Sequence, residues 1–105
     1  MVNEEIVYVR IPAPLRNLTG DNNKIEINLS NIDERQVKTL LDYVDKEFPG
    51  FKEKLFNPTG ELKQFVNIFI NGEDARYIKG INTEVVSGDE ISIVPAVAGG
   101  SSRYF

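Results

Sequence analysis

The chain has 105 residues, of which 41% are hydrophobic and 27% charged, the composition of one ordinary soluble domain with room for a single modest core. Its 12 basic and 16 acidic residues leave a net charge of −4, and no Lys or Arg adjoins another, so nothing tracks a phosphate backbone and nucleic acid is not expected as a partner. Cysteine and histidine are both absent, which removes disulfides, thiolate nucleophiles, the usual zinc sites and the commonest general base; no catalytic residue, bound cofactor or metal is expected, and the chain reads as a non-enzyme.

Residues 1–5 are acidic and too poor in apolar residues for a signal peptide, and no later stretch approaches a membrane span, so a cytoplasmic protein is expected. Residues 5–11 are rich in β-branched and aromatic side chains and stop at Pro12-Ala13-Pro14, which predicts a first strand. Val7, Val9 and Ile11 form a uniformly apolar row, the predicted core face, while Ile6, Tyr8 and Arg10 form a mixed one. Residues 15–23 hold the Asn, Asp, Gly and Thr that turns require, with Leu15 and Leu18 expected to fold back on the sheet edge. Residues 24–29 alternate strictly and close a hairpin.

From Ser30 the period changes. Ser30, Asn31 and Asp33 are candidate N-caps, with Glu34 and Gln36 at capping-box spacing from the latter two. Val37, Leu40, Leu41, Val44 and Phe48 then recur at steps of three and four, predicting a helix of about four turns that Pro49-Gly50 ends. Residues 51–62 read as a long covering loop with a short packed turn at Phe51, Leu55 and Phe56. Residues 64–71 are the most strand-like stretch, with Val66, Ile68 and Ile70 facing the core, and end in Asn71-Gly72, a strong hairpin signal. Residues 75–78 are predicted as a short edge strand, Gly88-Asp89 as the last turn, and Ile91 and Ile93 as the core pair of the final strand.

Phe65 and Phe69 then fall on the opposite face of their strand, alongside Tyr8 from the first strand and Val94 from the last, a candidate docking patch for a partner. Strand, strand, helix, loop, strand, short strand, strand is most simply a mixed four- to five-stranded sheet with one main helix on one face, the α+β arrangement called β-grasp. Residues 1–98 are assigned to that domain and 99–105 to a flexible tail. Gly99 and Gly100 carry no Cβ, so the tail can enter a narrow slot.

These residues carry a resemblance. The block FVNIFINGED over residues 65–74, then Gly88-Asp89-Glu90-Ile91 and the terminal PAVAGG over 95–100, are similar to the ubiquitin-like sulfur-carrier family, MoaD- and ThiS-like β-grasp proteins, and within it to carriers of the cysteine-biosynthesis type. The resemblance implies that the carboxylate of Gly100 is adenylated at the expense of ATP by an E1-like activating enzyme, converted to a thiocarboxylate, and used to hand sulfur to a biosynthetic enzyme such as a cysteine synthase. Ala98, Gly99 and Gly100 map onto the part of the tail that threads into the partner's active site. In the mature family form the second glycine is last, whereas here Ser101-Ser102-Arg103-Tyr104-Phe105 follows. The expectation is therefore a precursor processed between Gly100 and Ser101, as in relatives trimmed by a zinc-dependent JAMM-type peptidase. A monomer is expected. A ubiquitin-like modifier joined to lysines, and a β-grasp interaction domain with an inert tail, stay open as alternatives.

Overall fold

The computed structural model describes residues 5–95. Strand β1 (Ile6–Arg10) pairs antiparallel with β2 (Lys24–Asn28), Val9 opposite Ile25 and Val7 opposite Ile27. The register puts apolar side chains of both strands on one face, where Val7, Val9, Ile27 and the following Ile11 are buried. The connection is not the plain turn region expected: Pro14 lies in the first turn of a 3-10 helix, Ala13–Thr19, where proline needs no N–H. That helix carries Leu15 past the sheet edge into the core, at 1% exposure, while Leu18 only packs against it.

Helix α1 (Val37–Glu47) is three turns rather than four, and buries Val37, Leu40, Leu41 and Val44 on the sheet. None of the predicted N-caps serves it. Asn28 instead caps a short 3-10 turn, Leu29–Asn31, by accepting the Ser30 N–H. The first helical N–H, that of Val37, donates across the molecule to the Thr83 carbonyl at 3.0 Å, beside an isolated bridge between Gln36 and Glu84. One orphan donor is thus satisfied by a distant backbone group, and the Thr39 N–H, which a capping side chain could otherwise take, donates to the Gln36 carbonyl at 3.1 Å.

Past the Pro49-Gly50 break the packed turn proves to be a second helix, α2 (Phe51–Leu55), with Phe51 and Leu55 fully buried. Strand β3 (Val66–Ile70) buries Val66, Ile68 and Ile70 as its alternation requires. Asn71 (φ 52°) and Gly72 (φ 87°) take the left-handed conformations of a two-residue hairpin turn. The chain therefore pairs again at once, and the edge strand is β4 (Glu73–Asp74), not residues 75–78. Asp74 ends it by accepting the Arg76 N–H at 2.9 Å, which starts a 3-10 helix, Ala75–Tyr77.

Strand β5 (Glu90–Pro95) is central: the sheet order is β2-β1-β5-β3-β4, with β5 parallel to β1 and antiparallel to β3. Ile91 and Ile93 join the core. One mixed five-stranded sheet with its principal helix across one face is the β-grasp fold. No helix of the described residues is long and apolar enough to cross a membrane.

Candidate functional site

Two features set the site: the way β5 leaves the sheet, and the sheet face turned away from α1. Pairing of β5 with β1 ends at Arg10 and Ser92, where β1 runs on to the Pro12 stop, whereas pairing with β3 continues through Asn67 and Val94 to Val66 and Pro95. The last residues of β5 thus run beside β3 alone. A proline is tolerated there because the β1 ladder has already ended and no donor is needed on that side. Pro95 is the last described residue; Ala98, Gly99, Gly100 and Ser101, and the proposed division of the chain at 98, lie outside the described residues.

The outer face follows from the register. One row across the sheet reads Lys24, Arg10, Ser92, Phe69, Asp74. Phe69 and Val94 are diagonal neighbours on adjacent strands, close enough for an aromatic ring to meet an isopropyl group. Val94 is 38% exposed and Phe69 half-buried. Tyr8 is on the same face but stands apart from them, beside Glu90 and with all of β5 between it and Phe69. Its ring lies 4.9 Å from the Lys24 ammonium, and Arg10 pairs with Glu90 at 3.7 Å. Phe65 precedes β3 and, half-buried, packs against the core cluster. The structure therefore brings together Phe69 and Val94, and sets Tyr8 in a charged strip of Lys24, Arg10, Glu26 and Glu90 that sequence reasoning did not assemble. The available signal was the mixed row of β1, whose Arg10 already broke the apolar pattern.

The far end of the row is closed by Asp74. Its carboxylate accepts from the Arg76 guanidinium at 2.7 Å as well as from the Arg76 N–H. The guanidinium bonds first, then the backbone N–H, hold the Asp74 carboxyl below the ordinary carboxylate range, and the same pairing raises the Arg76 guanidinium. The face thus runs from charge through an apolar centre to charge. Among the described residues no group of three His, Cys, Asp or Glu could hold a metal ion. What such a surface can do is dock a partner, with apolar area at the centre and charge at the rim.

The ThiS family model matches residues 9–100 of this chain. A protein of Archaeoglobus fulgidus named as a candidate sulfur carrier is 42% identical over 95 residues, covering 90% of this chain and 98% of that protein. A chain of the Amycolatopsis orientalis BexX/CysO complex is 36% identical with a TM-score of 0.78, over 90% of this chain and 99% of that one. Small archaeal modifier protein 1 of Methanosarcina acetivorans is 28% identical with a TM-score of 0.74, over 94% of this chain and all (100%) of that one. The sheet order, the helix laid across one face and a family match that takes in nearly the whole sequence agree: the chain belongs to the ThiS family of ubiquitin-like, β-grasp sulfur carriers.

Proposed function

We propose that this protein is a sulfur carrier of the CysO type whose working group is the C-terminal carboxylate of Gly100, exposed by cleavage between Gly100 and Ser101. The observation that carries the reading is the family match, which extends past β5 and has Gly100 as its last matched residue. A carboxylate is a poor electrophile because its charge is delocalised and it has no leaving group. Attack of the Gly100 carboxylate on the α-phosphorus of ATP, in an E1-like partner, would release pyrophosphate and leave an acyl adenylate. A sulfur nucleophile would then expel AMP and leave the thiocarboxylate, which passes its sulfur to an acceptor enzyme such as a cysteine synthase. The chemistry resides on the partners, so this chain acts as carrier rather than enzyme and binds no cofactor of its own.

The parts of this chain have distinct tasks. Ala98, Gly99 and Gly100 form the segment that threads into the partner's active site, and at Gly99 and Gly100, which carry no Cβ, a side chain would not fit. Phe69 and Val94 anchor the docking, with Tyr8 at its margin. A JAMM-type zinc peptidase removes residues 101–105. The likeness to small archaeal modifier protein 1 supports a second reading, in which Gly100 is joined to lysines of other proteins.

The test is the intact mass of the protein taken from its native cell under conditions that preserve thioacids. Loss of the five residues after Gly100, with a fraction heavier by the exchange of one oxygen for sulfur, is the expected result. A chain that stays uncut at Phe105 in growing cells removes the precursor reading. Lysine adducts without any thiocarboxylate would favour the modifier.

A further inference from the structure

Outside the sheet the molecule has an open cleft of about 730 Å³ between α1, α2 and residues 56–63, lined also by Ile81. Since α1 lays its other side on the sheet, this cleft opens away from the face of Phe69 and Val94. Its outer wall is preformed. The Lys63 N–H donates to the Leu55 carbonyl at 2.8 Å, the Asn57 N–H to the Glu61 carbonyl at 2.7 Å, and the Lys52 N–H to the Asp45 carboxylate at 2.9 Å.

The lining is unusual for this chain. Among the described residues only three lysines are half-buried, Lys38, Lys52 and Lys63, and all three line the cleft. Lys52 is neutralised by Asp42 and lies 5.7 Å from the centre of the Phe56 ring. Lys38 and Lys63 have no acidic partner among the described residues, and only one further carboxylate, the exposed Glu53, lines the same space. Two ammonium groups on partly desolvated stems beside an apolar floor of Phe56 and Ile81 are a site short of anionic charge.

We propose that this cleft docks an extended acidic segment of a partner protein, with an aliphatic side chain seated on Phe56 and Ile81 and carboxylates at Lys38 and Lys63. An open cleft leaves a small anion largely solvated, whereas a peptide uses the apolar floor and the lysines together. The chain as a whole is acidic, at −4, so attraction arises only locally and falls with added salt. Such a partner would leave the outer face of the sheet free, and the proposal stands whether or not the chain carries sulfur.

The experiment titrates the ¹⁵N-labelled full chain with a blocked hexapeptide, two isoleucines flanked on each side by two aspartates. Expected are amide shifts at Lys38, Lys52, Phe56, Gly60, Lys63 and Ile81, and binding at least about tenfold weaker for the double variant K38E/K63E. Both side chains are half-buried in the cleft wall, and an otherwise unchanged spectrum shows that the variant is folded. The same peptide with lysines in place of aspartates should bind the double variant more tightly than the native chain. No shifts at millimolar peptide, or shifts at Phe69 and Val94 instead, would overturn the proposal. So would inorganic phosphate producing the same shifts at similar concentration, which would make the cleft a small-anion site.

Discussion

Asp74 shows how one residue can do local work at the margin of the proposed docking face. Its carboxylate both starts the 3-10 helix after β4 and pairs with Arg76, so its charged form is favoured in the folded chain. A carboxyl whose folded pKa is depressed contributes stability that is complete above the unfolded value, about 3.9, and is lost as pH falls through the lower folded value. D74N keeps an oxygen that can accept the Arg76 N–H and loses only the charge. D74N should therefore melt below the native chain at neutral pH, with the gap closing as the pH is lowered beneath the carboxylate range. Thermal midpoints of both proteins across that range check this, and a gap independent of pH would refute it. The two-residue turn makes a simpler case. Gly72 sits at φ 87°, and a methyl group added to its Cα would meet nothing within 4 Å, so Gly72→Ala should cost about 1 kcal/mol from backbone strain alone, read as a lower urea midpoint with an unchanged slope.

At the scale of elements, α1 separates what periodicity can reveal from what it cannot. Its stripe was legible because residues three and four apart share a face, and Leu40 at 0% exposure is at the centre of that stripe. Leu40→Ala should lower stability by about 2–5 kcal/mol, measured by urea unfolding. The start of the helix was not legible, since its donor is met by Thr83, far along the chain, and no local pattern encodes a long-range bridge. N31A and D33A should consequently stay within about 0.5 kcal/mol of the native chain, where a true capping residue would show about 1. The edge strand was misplaced for a related reason. Asn71-Gly72 correctly marked the turn, but only the Asp74 side chain decides that pairing ends after two residues. Of the proposed docking patch, alternation puts Tyr8, Phe69 and Val94 on the face turned away from the core, as the register does, yet which of them are neighbours depends on strand order. With β5 between β1 and β3, Tyr8 is separated from Phe69; Phe65, one residue before the strand, turns to the core cluster.

For the whole molecule, the central position of β5 links fold to proposed work. A strand held between two neighbours is a firm base, and its last residues run on beside β3 alone toward the two glycines. The proposed docking and threading are then separable, since Phe69 and Val94 are on the sheet while Gly100 lies five residues beyond Pro95 in the sequence. Two substitutions exploit the separation. Phe69→Ala removes half-buried apolar surface from a face that packs nothing from α1, so it should weaken binding to the activating enzyme, seen as a raised KM with little change in kcat. Gly100→Ala in a chain ending at residue 100 should do the reverse, because an added methyl obstructs the reacting carboxylate while leaving the docking face intact. The control is the chain that runs on to Phe105, whose Gly100 carboxylate is tied up in a peptide bond and which should support no ATP–pyrophosphate exchange at Gly100, although on the proposed docking it should still compete for the enzyme. Equal exchange by the cut and uncut chains would show that adenylation does not occur at Gly100, and the proposed carrier chemistry would fall with it.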